Sequence, residues 1–323
     1  MKRHPMSRRR FIGALASTSG LFKTQAIRGK PASIDRRALV QRHNPVVRRF
    51  DPLGPLSIGN GEFAFTADVT GLQTFSSEYD RTMPLCTMAQ WGWHSTPLAA
   101  NLDAARFRLT PFETFGRPVG YSVSSEGQTE LYNWLRENPH RLHLGRIGLI
   151  LKSTDGIEGR IADLGAIDQQ LDLWSGTLTS RFEFQGQAVQ VRTTIHPKDD
   201  LLAVAIESNL IREGRLAVRL NFPYGSPSMQ AADWLAASRH DSRIATSTSS
   251  RADIERRLDA DRYTVALQWE TPARLGNPAA HEFVLTPAID SGRLAFIVAF
   301  GQQGPVGKLP GIERIFAESA AHW

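Results

Sequence analysis

The sequence predicts a mainly β protein, an antiparallel β-sandwich or super-sandwich with a few short helices and a helix at its C-terminal end. Three observations lead there. Beyond residue 50 the apolar residues recur mostly every second position, the period of half-buried strands. The alternating runs are joined by short turns containing Gly or Pro. One run, Leu294 to Phe300, is apolar on both faces, as a central strand covered on two sides must be.

The first residues stand outside that fold. Ser7-Arg8-Arg9-Arg10-Phe11-Ile12-Gly13 follows Lys2 and Arg3 and opens a mildly apolar run from Phe11 to Phe22. That run is too short and too polar to span a bilayer, which takes about 20 apolar residues. A basic start, a short apolar stretch and a small-residue exit near Thr24-Gln25-Ala26 form a secretory leader, and the paired arginines indicate the twin-arginine route. Residues 1–30 are therefore expected to be a signal peptide, and the protein to be periplasmic or secreted.

The leader also explains the charge. It holds eight Lys and Arg and no acid, so removing it from a formal +6 leaves −2 for residues 31–323. A near-neutral mature chain gives no reason to expect nucleic acid as a partner. The single cysteine, Cys86, excludes an internal disulfide. No His, Cys, Asp or Glu spacing reads as a zinc site, and no Gly-rich phosphate loop follows a strand. Neither a metal nor a cofactor is expected, and no later apolar run is long enough for a stable membrane span.

Residues 31–50, rich in charge, read as a linker and entry segment. Pro52, Gly54 and Pro55 punctuate the start of a sandwich domain placed at 51–308. Its clearest element is a hairpin. Leu178, Phe182 and Phe184 share one face, Gln185-Gly186-Gln187 supplies the turn, and Val189, Val191 and Ile195 return on the same face until His196-Pro197 ends the strand. Leu202, Val204 and Ile206 alternate next, then Leu216, Val218, Leu220 and Phe222, then Tyr263, Val265, Leu267 and Trp269. Leu131, Trp134 and Leu135 predict a short helix stopped at Asn138-Pro139, and Met229 to Ser238 is a second candidate. Ile312, Ile315, Phe316 and Ser319 fall on one face of a last helix within 309–323, read as a connector. Its apolar residues, Trp323 included, call for another surface to cover them.

Two segments carry possible chemistry. Pro55-Leu56-Ser57-Ile58-Gly59-Asn60-Gly61-Glu62-Phe63-Ala64-Phe65 reads physically as a Gly-Asn-Gly turn opening a strand, and a plain hairpin turn accounts for it. Gln90-Trp91-Gly92-Trp93-His94-Ser95 puts two indoles and an imidazole in a loop. Aromatic faces stack on sugar rings while indole N–H and imidazole reach hydroxyls, although both tryptophans would serve equally as core aromatics.

The first segment resembles the Pro-x-x-Gly-Asn-Gly start of the N-terminal β-sandwich of six-hairpin glycosidases, the clan of glycoside hydrolase families 65 and 95. The stretch Leu173–Ser208 is similar in layout: Leu-Trp-Ser-Gly, a strand, a Gly turn, a strand ending His-Pro, then Asp-Leu-Leu-Ala-Val. Glu318-Ser319-Ala320-Ala321-His322-Trp323 resembles the helix that links that sandwich to an (α/α)6 barrel. The resemblance implies a galactose mutarotase-like sandwich acting on an oligosaccharide or glycan. It also implies a general-acid glutamate in a barrel that would follow Trp323, with no catalytic residue and no turnover in this chain alone. Loops of such sandwiches reach over the barrel's active site, so the expected contacts to substrate are Asn60, Glu62, Trp91, Trp93 and His94. A stand-alone carbohydrate-binding module is the alternative. A sandwich enzyme of the aldose-epimerase type is another, with His140 or His143 as general acid.

Overall fold

The hairpin at residues 177–195 shows how local sequence sets the architecture. Thr177–Phe184 and Gln187–Ile195 pair antiparallel with Phe184 opposite Gln187. Gln185 and Gly186 both take positive φ, 50° and 75°. That is the turn whose twist matches the flanking strands. Leu178, Phe182, Phe184, Val189, Val191 and Ile195 are all buried, as their alternation requires.

The hairpin belongs to a nine-stranded antiparallel sheet in the computed structural model, which describes residues 34–302 and 306–323. Across the sheet the strands run Val46–Val47, Leu164–Asp172, Thr177–Phe184, Gln187–Ile195, Leu201–Ser208, Arg293–Gly301, Asp261–Trp269, Arg251–Leu258 and His240–Ser247. A four-stranded sheet packs against it, in the order Ala273–Ala279, Glu282–Pro287, Leu216–Asn221 and Arg146–Leu151. Phe182, Val191, Leu202, Val204, Phe296 and Val298 from the first meet Leu149, Val218, Leu220, Phe283 and Leu285 from the second in one core. Leu56–Gly59, Phe63–Ala67 and Thr87–Ala89 form a third, three-stranded sheet, which adds Phe63 and Phe65 to that core. The chain is a β-sandwich, as the alternation predicted. Its compact body is Arg37–Trp323. The expected signal peptide at 1–30 lies outside the described residues. Within the segment read as linker and entry, Val46–Val47 pairs with Gln169 and Gln170 at the sheet's edge. Among the described residues no helix is long and apolar enough to cross a membrane.

Arg293–Gly301 is buried on both faces, and so is its neighbour Leu201–Ser208. The reason is the helix Ile312–His322, which lies on the outer face of these strands. That face is built from Ala203, Ala205, Ala295, Ala299 and Ile297, small enough to let the helix approach. Ile312, Ile315 and Phe316 are buried there, each burial being worth about 1.5–3 kcal/mol. The expectation that these residues need a foreign surface is thus corrected: the sheet's own second face covers them, and only Trp323 stays half exposed, at 50%.

The helix expected around Leu131 is present at Thr129–Glu137, with Leu131 its buried residue. The one expected at Met229–Ser238 is absent. Asp233 is drawn into a two-way backbone pairing with Tyr224, at 2.8 and 3.1 Å, and Ala231 takes a positive φ of 52°. Both are incompatible with a continuing helix, and only a 3-10 turn at Ala237–Arg239 remains.

Candidate functional site

Antiparallel register decides which loops share an end of a sheet. Ile195 pairs with Leu202, Leu201 with Ala299, Thr264 with Gly301, and Leu258 with Asp261. His196, Asp199 and Asp200, Gly301, Asp261, Asp259 and, one strand further, His240 therefore follow one another along a single rim. All five residues singled out in the sequence touch this rim or are built onto it.

Asn60 sits in the turn between the strands Leu56–Gly59 and Phe63–Ala67. Its Oδ1 accepts the backbone N–H groups of Glu62 (2.9 Å) and Phe63 (2.8 Å), and its Nδ2 donates to the carbonyls of His196 (3.0 Å) and Asp199 (3.2 Å). An amide offers two donors and two lone pairs, and here all four are used. Asn60 is a staple between two loops. Glu62 beside it is exposed, and its backbone carbonyl accepts the N–H of Gln90 at 2.7 Å, which ties the turn to the tryptophan segment.

Trp91 is half-buried. Its indole packs against Tyr263, centroids 6.0 Å apart, and its Nε1 donates to Asp200 Oδ2 at 2.6 Å. Burial raises the Asp200 pKa; the indole N–H works against that shift, and Glu62 and Asp199 add to it. Tyr263 is itself held, its hydroxyl donating to Leu144 O at 2.9 Å and accepting from Arg256 Nε at 3.2 Å.

Trp93 differs from its neighbour. It is 45% exposed. In a two-residue ribbon Trp93 pairs with Arg141 and His94 with His140. The Arg141 guanidinium lies 4.2 Å from the indole centroid, and the indole N–H donates to Gln90 O at 3.0 Å. Arg141 is anchored in turn, Nη1 donating to the carbonyls of Ala89 (3.2 Å) and Gln90 (3.1 Å). One face of the ring is thus occupied and its orientation fixed.

His94 is buried. Its Nδ1 lies 2.8 Å from Asp261 Oδ2 and its Nε2 3.4 Å from Asp259 Oδ2, so the imidazole sits between two carboxylates of the rim. Asp259 accepts from Tyr224 Oη at 2.6 Å, and Arg239 Nη2 donates to that same hydroxyl at 2.6 Å. Burial, with Asp259 as acceptor, pushes the Tyr224 phenol up to about 12. Gly225 stands so close that a Cβ there would collide with the His94 ring. His94 is consequently an internal brace for the ribbon that carries Trp93, with no face open to a ligand.

The other two histidines considered are also internal. His140 meets the Glu137 carbonyl through Nδ1 at 3.0 Å, and burial lowers its pKa. His143 accepts the Gly145 N–H at Nδ1 (3.1 Å) and meets Leu85 O through Nε2 (3.0 Å). Burial and Arg146 push it down to about 3. A side chain so enclosed is poorly placed to give a proton to a substrate. Among the described residues no group of three or more His, Cys, Asp or Glu is placed to hold a metal ion.

Asp200, Asp259, Asp261, Arg141 and His196 were missed in the sequence. Asp259 lies in a hairpin turn and Asp261 directly follows it, where acids are ordinary residues. Only the strand register brings them to His94.

No family model matches the chain, and no curated protein matches it. Among solved structures, a protein described as a kojibiose phosphorylase from human microbiome matches with a TM-score of 0.50 and 11% identity, over 86% of this chain and 37% of that one. The chain spans little more than a third of that protein's length. At this identity the likeness carries the fold, a sandwich of the kind that the resemblance to six-hairpin glycosidases implied.

Proposed function

We propose that the chain is the sandwich domain of an exported, glycoside hydrolase-like protein, that its rim contacts an oligosaccharide or glycan, and that an (α/α)6 barrel on a longer or neighbouring chain supplies the general acid. The observation that carries this reading is Trp93. An indole with one face held by Arg141, its N–H tied to Gln90 and nearly half its surface exposed is a rigid platform whose remaining face is free for a sugar ring. Because the ring is already ordered, binding there forfeits little side-chain entropy. The shared fold with a kojibiose phosphorylase supports a carbohydrate as the ligand. Glu62, exposed beside Asp200, is the polar group assigned to sugar hydroxyls. Asn60, Trp91 and His94 hold these contacts in place from behind.

Titration calorimetry of the purified protein against a panel of neutral oligosaccharides tests the reading. Binding by at least one member is expected, lost by tenfold or more in Trp93→Ala and kept in a surface control such as Trp323→Ala. Absence of binding across the panel, or an unchanged affinity in Trp93→Ala, defeats it. Export is tested separately: Arg8→Lys with Arg9→Lys should hold the protein in the cytoplasm, and export unaffected by the pair rejects the twin-arginine route.

A further inference from the structure

A cleft of about 780 Å³ opens on the outer side of the same rim, between the His196–Asp199 loop and the last helix. Its volume falls within the roughly 300–1,000 Å³ of small-molecule sites. Pro197, Leu309, Pro310 and Ala321 give it apolar surface, and Lys198, Lys308, Arg314 and His322 ring it with basic groups.

The two acids in the cleft are not equivalent. Glu318 is fully engaged: Arg314 Nε donates to one oxygen at 2.7 Å and His196 Nε2 to the other at 2.9 Å. His196 Nδ1 accepts the backbone N–H groups of Lys198 (3.3 Å) and Asp199 (3.0 Å), so in the neutral imidazole the proton resides on Nε2 and points at Glu318. Asp199 Oδ2 lies 3.1 Å from His196 Nδ1, an ion pair only when that imidazole is protonated, so a neutral His196 gives Asp199 no donor. Against it stand Lys198 and Lys308, whose ammonium groups make no hydrogen bond or ion pair with the described residues, and the four Nη N–H groups of Arg314. The cleft therefore has a surplus of unmatched donors and positive charge over apolar walls, on a loop locked from behind by Asn60.

We infer that this cleft is a second subsite, which takes the anionic group of an acidic glycan, a uronate carboxylate or a sulfate ester, with the sugar ring on the Pro197 and Pro310 surface. Ammonium and guanidinium groups match an oxyanion, and the apolar walls match the C–H face of a pyranose. The inference rests on the carbohydrate reading above and names the charge of the ligand.

The full chain is titrated with an oligogalacturonate, a sulfated oligosaccharide, a neutral oligosaccharide of equal length and inorganic phosphate. Expected is tighter binding of the acidic sugars than of the neutral one, falling with added salt and weakened at least tenfold in the double variant Lys198→Ala, Lys308→Ala. Both lysines are exposed, so circular dichroism and Tm should be unchanged in that variant. Neutral-sugar binding lost only in Trp93→Ala, with no preference for acidic sugars, overturns this inference and leaves the rim reading intact. Acidic-sugar binding indifferent to both lysines overturns it as well. So does equal affinity for inorganic phosphate, which marks an adventitious ion only.

Discussion

Every hydrogen-bonding position of the Asn60 amide is spent within the protein, holding its own turn to the His196–Asp199 loop. Asn60→Ala is expected to cost about 2 kcal/mol, because two loop carbonyls and two N–H groups lose a partner at once. Asn60→Asp, which keeps the acceptor and loses the donors, should fall between; urea unfolding of the three proteins measures the order. Asp68 offers a pH test at the same scale. It is fully buried, accepts from Thr70 N, Thr70 Oγ1 and Phe75 N, and burial raises its pKa to about 6. A carboxyl with a folded pKa above its unfolded value near 3.8 stabilises the fold most below that value, and this contribution is lost as pH rises through about 6. The difference in unfolding free energy between wild type and Asp68→Asn should therefore shift by about 2–3 kcal/mol between pH 4 and pH 7. A flat difference would show that Asp68 does not titrate in this range.

At the scale of elements, alternation proved a faithful guide wherever one face of a strand meets the core and the other meets water. The strand Thr177–Phe184 is of that kind, whereas Asp261–Trp269 also turns Ala266 to the last helix. Alternation was a poorer guide to that helix. Ile312, Ile315 and Phe316 announced an apolar face, but the surface they meet is written as alanines spread over three strands far apart in sequence, Ala203, Ala266 and Ala295 among them. Small residues carry no amphipathic signal, so the partner could not be read. Phe316 also lies beneath the Arg192 guanidinium, 4.2 Å from its ring centroid. Phe316→Ala should cost about 3–5 kcal/mol, and Ala295→Leu, which overfills the helix seat, about 1–3 kcal/mol. Thermal or denaturant unfolding checks both, and a neutral Ala295→Leu would mean the helix is not seated as described.

At the scale of the whole molecule, the sandwich was legible because its layers follow from local periodicity, whereas the rim was only half legible. Trp91, Trp93 and His94 are adjacent in the chain and invited attention together. Their partners Asp200, Arg141, Asp259 and Asp261 are brought in by register, from as far as His94 to Asp261, 167 positions apart. No spacing rule reaches that far. The same non-local pairing dictates the order of assembly. Arg293–Gly301 is the last strand of the described residues in chain order, yet it is the keystone of the large sheet, bonded on one side to Leu201–Ser208 and on the other to Asp261–Trp269. Until it is synthesised, the sheet exists as two separate halves, each ending in an open, apolar edge. A ribosome-bound or truncated chain stopping near residue 290 should therefore self-associate through those edges, whereas the full chain stays dispersed. Light scattering of the two preparations tells them apart, and it makes the nascent chain's exposure to chaperones a property of where one strand falls in the reading order.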